Sequence, residues 1–486
     1  MTADREAAPP DDRDRPAAVA IVGGGFSGTL LALYLRRRCP PGTRIHLIER
    51  TARFGPGLAY STENPSHLLN AFAGRMSAFP DFPSHFVDWL RARHAAGEDM
   101  PAPPTETSFV PRRTYGAYLR EILDAEIREA GAEGGLSLVR GAATGIAPSH
   151  GGRLLSVTLD RAPALVVDIA VLAVGNFPPE APPGAAPSFR ATGLYRGDPW
   201  AADALSGLAP DSAVLLIGTG QTMVDAAVSL LDRGHRGPIH ALSRRGLLPT
   251  RHAGGRTPVP APSPLPAGTA ALCRSVRAAI GAAANEGIDW RRVVDGLRPA
   301  TQHLWQAASP SDRARFLRHL RPWWEIHRQR LAPEIADRID AARSRGQFLA
   351  AAGRLLDYRA VTADIAEIAY RRRGETAPRT LRVARVVNCS GPGGDVERIA
   401  DPLLRRLLDA GMIRPDPLRL GLDVTGECAL RDRDGRTSGR LYAVGPVTRG
   451  AFWEITSVPD IREQCAALAE RIAASLAKPD RSRERG

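Results

Sequence analysis

An α/β protein with two doubly wound parallel sheets and a helical insertion is the fold this sequence predicts, on three observations. The stretch AAVAIVGGGFSGTLLALYLRRR (17–38) passes from an apolar strand through a knot of glycines into a helix, and SAVLLIGTGQTMVDAAVSLL (212–231) repeats that order. Apolar runs such as VVDIAVLAVGN (166–176) and ARVVNCSGPGG (384–394) read as further buried strands. With 486 residues the chain exceeds what one core supports, so two or more domains are expected.

In the first unit, Ala17 to Val22 has the composition of a buried parallel strand, and Phe26 to Arg38 has the spacing of a helix packed on one face. Between them stands Gly23-x-Gly25-x-x-Gly28. In a dinucleotide-binding βαβ unit the first glycine permits the tight turn and the second lets backbone amides approach a pyrophosphate. The third lets the helix sit close on the strand. The anion then rests on the positive end of the helix dipole. The next strand, RIHLIER, ends in Glu49, where a carboxylate accepts hydrogen bonds from ribose hydroxyls and repels a 2′-phosphate.

In the second unit, Val214 to Ile217 leads into Gly218-x-Gly220 and a helix from Gln221 to Leu231, with Met223 where the third glycine stood. The larger side chain is expected to hold helix and strand slightly apart. The following strand, PIHALSRRG, ends in Ser243-Arg244-Arg245 at the place of the first unit's acid. Hydroxyl and guanidinium groups suit a 2′-phosphate; ordinary surface arginines in an Arg-rich chain would give the same letters. The pattern predicts FAD on the first turn and NADPH on the second. A chain that holds both passes hydride from nicotinamide to flavin.

Composition narrows the alternatives. The formal net charge is +13, carried almost wholly by arginine, with Lys478 the one lysine. No basic block is interleaved with aromatics, so nucleic acid is not an expected partner. The lysine shortage leaves no candidate for Schiff-base or pyridoxal chemistry or for a phosphate-binding P-loop. Cys39, Cys273, Cys389, Cys428 and Cys465 are scattered and never form a C-x-x-C pair, which argues against a disulfide framework and a dithiol centre. No metal site is expected. Residues 1–16, charged and Pro-rich, read as a disordered leader, and no apolar run is long enough to span a membrane. The expected setting is the cytoplasm and the expected partner a small-molecule substrate, with a homo-oligomer left open.

The segments GPGLAYST, HLLNAFAGRMSAFP, FVPRRTYGAYL, LAVGNFPP, LLIGTGQTMVD, HALSRRGLLP, VVNCSGP and LYAVGPVTRGAFWEITSVPDIR, spread from about Ala17 to Gln464, resemble those of bacterial FAD/NAD(P)-binding oxidoreductases, distant relatives of flavin-dependent monooxygenases. The resemblance implies an architecture of the glutathione-reductase/flavin-monooxygenase type. Its FAD-binding domain is expected in two segments, 17–205 and 380–475. The NAD(P)-binding domain, 206–379, would lie between them and contain a helical insertion over 269–347, with a disordered tail over 476–486. RTPVPAPSPLPAG (256–268) reads on its own terms as a Pro-rich linker. Gly175 and Asn176 end their strand in small residues suited to close approach of a cofactor. By resemblance, Gly445 and Pro446 approach the flavin ring and ribityl chain.

By resemblance too, GPGLAY with its Gly57, together with His67 and Asn70, lines the isoalloxazine. An amide such as Asn70 suits the flavin edge because it both donates and accepts. His67 reads either as a proton shuttle or as a structural histidine, and Arg112 or Arg113 either neutralises cofactor charge or lies exposed at a helix start. Trp453, Glu454 and Thr456 occupy a loop beyond the last cofactor strand. There Trp453 and Glu454 would face substrate, and a buried Glu454 would serve as a general acid. Trp323 and Trp324 read as anchors for the insertion; His327 and Arg330 either face a substrate carboxylate or form a solvated helix face.

The leading expectation is an NADPH-dependent FAD monooxygenase that hydroxylates a small polar substrate at an amine nitrogen or an activated ring such as a purine, the oxygen step coming by analogy. The F-x-G-x-x-x-H-x-x-x-W/Y fingerprint of Baeyer–Villiger and related monooxygenases is missing. Two alternatives stand beside it: a flavin reductase or dehydrogenase with a non-oxygen acceptor, and an FAD/NAD(P)-binding sensor without turnover.

Overall fold

Two sheets of matching strand order organise the chain. The computed structural model describes residues 15–51, 53–100, 102–130, 135–253, 257–266 and 268–477. The first sheet runs Ala429–Arg431, Thr437–Ala443, Ile169–Leu172, Ala18–Val22, Arg44–Glu49, Leu136–Arg140, parallel except for its first pair. The second runs Arg379–Val383, Ala366–Arg372, Phe348–Ala360, Ile239–Ser243, Val214–Ile217, Arg385–Asn388, Tyr195–Arg196, and is parallel from Phe348–Ala360 onward. Each glycine turn thus leaves a central strand that is buried at every residue. A central parallel strand covered on both faces has no polar side to alternate with, which explains the unbroken apolar runs.

The helix Phe26–Arg38 departs from the one-faced reading, being buried all round from Phe26 to Leu35. The reason is a second cover: side chains of Arg112–Ala130 and Val458–Ala477, including Tyr115, Cys465 and Leu468, close its far side into the same core. An antiparallel meander of Ala143–Ser149, Leu154–Leu159 and Leu165–Val167 covers the opposite face of the first sheet through Ile146, Leu155 and Val157.

Three boundaries differ from the sequence reading. Tyr195–Arg196 and Arg385–Asn388 both pair in the second sheet, so the chain crosses into that unit before residue 205 and leaves it after residue 388. Arg385–Asn388 is needed there because Val214–Ile217 must be flanked on each side to be central, and Tyr195–Arg196 closes the sheet edge beyond it. The helix Pro333–Ser344 packs Ile335, Ala336 and Ile339 into the core of the second unit. The insertion proper is therefore the five helices from Thr269–Asn285 to Arg321–Arg328. Of the leader only residues 15 and 16 are described, and Val458–Ala477 carries helix into the expected tail, whose residues 478–486 lie outside the described set. Residues 256 and 267 of the Pro-rich linker lie outside it as well.

These contacts set two glycines apart. A Cβ on Gly28 would stand 1.9 Å from the Gly23 carbonyl oxygen, whereas one on Gly220 meets nothing within 4 Å. Urea unfolding is expected to show a loss of about 1–3 kcal/mol or more for Gly28→Ala, against under about 1 kcal/mol for Gly220→Ala at its helix N-cap. Equal losses would show that helix and strand are not in enforced contact at the first turn.

Candidate functional site

The two turns are the same device built twice. Gly23 donates its N–H to the Ile48 carbonyl at 2.9 Å, and Gly218 donates to that of Leu242 at 2.8 Å. Their φ angles, +112° and +109°, lie where glycine is the residue at ease. A Cβ would lie 2.3 Å from the Ala173 oxygen in the first turn and 2.4 Å from the Cys389 oxygen in the second. The residue that follows each flanking strand therefore presses its carbonyl onto the turn. Gly25 and Gly220 then cap the helices Phe26–Arg38 and Gln221–Asp232 with extended backbone. Glycine has no side chain to satisfy the first helical amides, which leaves them to an anion.

The tie to the neighbouring strand also fixes which residues correspond. Since Ile48 matches Leu242, Glu49 matches Ser243. Glu49 accepts the Gly24 N–H through Oε2 and the Thr51 N–H through Oε1, both at 2.9 Å. Ser243 Oγ instead shares a 2.9 Å hydrogen bond with Thr219 Oγ1 and accepts the Gly246 N–H at 2.9 Å. Arg244 is exposed and makes no ion pair among the described residues, while Arg245 donates to the Arg318 carbonyl at 3.3 Å. Met223 fills the core beside Val214 and Leu216. At the helix start the Val224 N–H to Gly220 carbonyl bond is 3.2 Å, against 2.9 Å for Thr29 to Gly25.

The carboxyl ends of the two sheets meet at a cavity of about 420 Å³. Gly175 and Asn176 reach it from the first sheet, Gly391 and Gly393 from the second, Pro446 from the last turn and Arg321 from the insertion. Gly445 donates its N–H to Gln464 Oε1 at 2.8 Å, and a Cβ there would fall 2.4 Å from Ser27 Oγ. The last turn accordingly lies against the amino end of the first helix. Gly57 packs on the same end: its Cβ would meet Gly25 Cα at 3.1 Å.

Other expected site residues take different places. His67 is buried with both ring nitrogens engaged, Nδ1 with Thr62 Oγ1 at 2.8 Å and Nε2 with Ser229 Oγ at 2.8 Å and the Asp225 carbonyl at 3.1 Å. Burial pulls its pKa below the ordinary histidine value, against the opposing pull of Asp225. Arg112 grips Asp225 with two hydrogen bonds, at 2.8 and 3.2 Å. His67 and Arg112 thus clasp the first unit to the helix Gln221–Asp232 of the second, which favours the structural reading of His67 over the shuttle. Arg113 is exposed, as is Asn70, whose carbonyl accepts from His252 at 3.3 Å while its side-chain amide has no partner among the described residues.

Trp453 is only 3% exposed; it stacks on Trp305 at 4.8 Å and carries the Arg449 guanidinium over its ring at 4.5 Å. Glu454 accepts from Trp324 Nε1 at 2.9 Å and from Arg328 Nη2 at 3.0 Å. Both residues fasten the insertion to the body, because their polar and aromatic surfaces are already spent on it. This corrects the expectation that they face substrate. Of the tryptophan pair, Trp324 is the anchor and Trp323 is exposed. Arg330 is buried in a two-point pair with Asp295 at 2.9 and 3.0 Å, while His327 Nδ1 bonds the Trp323 carbonyl. Sequence reasoning missed Arg321 and Arg449, which line the cavity. In a chain whose basic residues are nearly all arginine, residue type could not have marked them.

The fold and the two cradles define an architecture with two dinucleotide-binding units. Residues 20–177 match the FAD-NAD(P)-binding family. The L-aspartate N-monooxygenase (nitrosuccinate-forming) of Streptomyces cremeus is 30% identical over 293 residues, 51% of this chain and 43% of that protein, so the chain matches less than half of that relative's length. Among solved structures, the ornithine hydroxylase of Pseudomonas aeruginosa superposes with a TM-score of 0.63 at 16% identity, over 95% of this chain and 99% of that one. The ornithine N-hydroxylase of Kutzneria sp. 744, with FAD, NADP⁺ and L-ornithine, gives 0.57 at 16% over 95% and 99%. The FAD-bound cadaverine monooxygenase of Erwinia amylovora gives 0.63 at 11% over 95% of each chain. At these identities the likeness is one of fold.

The clasp makes stability depend on pH in a defined direction. His67 has a lower pKa folded than unfolded, so as pH falls the unfolded chain takes the proton first. Its contribution is complete above the unfolded value of about 6.5 and is lost as pH drops below it. Thermal unfolding between about pH 7 and about pH 5 is expected to fall more steeply for the native chain than for His67→Gln, which starts lower. Parallel slopes would remove His67 from that dependence.

Proposed function

We propose that this chain is an FAD-dependent, NADPH-using monooxygenase that hydroxylates the nitrogen of a small amine. The observation that carries the reading is the register match of Glu49 with Ser243: two like cradles, one with a carboxylate that excludes a 2′-phosphate and one with a hydroxyl followed by arginines that accommodates it. The cradles fit the cofactors, since each turn packs against a strand-end carbonyl only because a Cβ is absent at Gly23 and Gly218, and the glycine N-caps Gly25 and Gly220 put no side chain on the first helical amides. When bound, FAD supplies the redox chemistry, taking hydride from NADPH and activating oxygen.

The chain's own residues bind and orient. The amides from Gly25 to Gly28 hold the FAD pyrophosphate, with Gly23 shaping the turn, and Glu49 holds its ribose; the helix start at Gly220 holds the NADPH pyrophosphate, with Gly218 shaping that turn and Ser243, Arg244 and Arg245 at the 2′-phosphate. Gly175, Asn176 and Gly445 admit the flavin to the cleft, and Gly57 supports Gly25 from behind. Asn70 presents its amide to the flavin edge. The buried stack of Trp305 on Trp453 holds the insertion to the body beside the cleft.

Nitrogen rather than ring carbon as the target is supported by the relatives, which are named for hydroxylating amino acids or acting on cadaverine. A cytoplasmic setting is supported by five unpaired cysteines and by the lack, among the described residues, of a helix long and apolar enough to cross a membrane.

Purified protein supplied with FAD, NADPH and air is expected to convert an amine from a panel of amino acids and diamines to its hydroxylamine, in step with NADPH consumed. NADPH oxidation without any hydroxylated product would favour the reductase alternative. Arg244→Glu is expected to raise KM for NADPH on the order of tenfold or more with little change for NADH. Equal losses would remove Arg244 from the 2′-phosphate.

A further inference from the structure

We infer that the amine this enzyme takes carries a carboxylate, and that Arg321 and Arg449 hold it at the cavity wall. The inference rests on the monooxygenase reading and names its substrate class. Arg321 opens the helix Arg321–Arg328 of the insertion, Arg449 follows the last turn, and both line the cavity where the two sheets meet. They share one carboxylate oxygen: Glu325 Oε1 accepts from Arg321 Nε at 2.8 Å and from Arg449 Nη2 at 3.3 Å. Two guanidinium groups face one acid, which leaves one positive charge over.

Among the described residues no second acid forms an ion pair with either arginine. Glu454 is engaged by Arg328 and Trp324, and Glu180, on the cavity wall, pairs with Arg398. Arg419, the remaining cation of the wall, is already paired with Asp395 and Glu397. Arg449 is held in place from the other side, with its guanidinium over the Trp453 ring at 4.5 Å and Trp453 stacked on Trp305. Its side chain is 16% exposed, its Nε is buried without a partner, and burial together with Arg321 draws its pKa down to about 10. Holding a largely buried guanidinium beside a second one is unfavourable until an anion joins them. A carboxylate matches the planar fork of a guanidinium in a way that a lone point charge does not.

Three other anions belong to the loaded protein. The FAD and NADPH phosphates have their own cradles, and none of Gly23, Gly25, Gly28, Gly218, Gly220 or Arg244 lines this cavity. The third is the ring of reduced flavin. Binding separates these from a substrate carboxylate. Calorimetric titration of FAD-loaded protein with L-aspartate, L-lysine and cadaverine is expected to show at least one amino acid binding more tightly than cadaverine. Arg321→Gln should weaken that amino acid by about tenfold to a hundredfold, and Arg321→Lys should recover part of the loss. Arg321 is partly exposed at a helix start, and retained FAD and melting temperature confirm that the variants fold.

Cadaverine binding at least as tightly as both amino acids, or neither amino acid binding, would overturn the inference. So would an equal loss of NADPH affinity, which assigns the charge to phosphate. A lowered flavin potential with amino-acid binding intact would overturn it too, assigning the charge to the reduced ring. Amines hydroxylated whether or not they carry a carboxylate would sink this inference and leave the monooxygenase reading standing. A bound amino acid that is never hydroxylated would do the reverse.

Discussion

Two carbonyl oxygens, those of Ala173 and Cys389, press on two glycine turns, and the rest of the arrangement depends on that contact. Each leaves so little room that any side chain at Gly23 or Gly218 would collide with backbone. The contact fixes the turn, the turn fixes where the following helix begins, and the helix start determines where unsatisfied amides point. Because the pressing residue ends the strand beside the turn, the chain just beyond it is delivered to the same side of each sheet. Gly175 and Asn176 in one unit and Gly391 and Gly393 in the other meet at a single cavity for that reason.

Meeting also requires that the units not slide. The clasp of Arg112 on Asp225, with His67 on Ser229, crosses between them at the back of the second helix. Its groups are largely withdrawn from water, so each charge is costly unless its partner stays in place. A hydrophobic contact of the same size would tolerate rotation; a two-point guanidinium pair with defined hydrogen-bond directions does not. The insertion is held by another such set, in which Trp324 and Arg328 grip Glu454 and Trp305 covers Trp453.

What could be read from the amino-acid sequence follows the range of the interactions. The glycine turns, the strands that bracket them and Glu49 were legible because the sterics that demand them act between residues close along the chain or one strand away. Which sheet claims Arg385–Asn388 was not legible, since an apolar strand carries the same letters wherever it is buried. Pro333–Ser344 was absorbed into the insertion for a like reason: its role in the second core depends on Val214 and Leu216, far off in sequence. Trp453 and Glu454 were expected to face substrate and instead fasten the insertion, while His67 was open between a shuttle and a structural role and its contacts favour the second. Their chemistry is real, but the partners that consume it lie on other elements. Arg321 and Arg449 were hidden among a chain's worth of arginines, and only the fold shows them sharing Glu325.

The central claim is that the two cradles open on one cleft, so that a nicotinamide on the second meets a flavin on the first. Anaerobic mixing of FAD-loaded protein with NADPH, followed by the flavin's visible absorbance, tests it most directly. The account predicts rapid bleaching that NADH reproduces poorly. Flavin that stays oxidised in the presence of saturating NADPH, or protein that does not retain FAD, would contradict it.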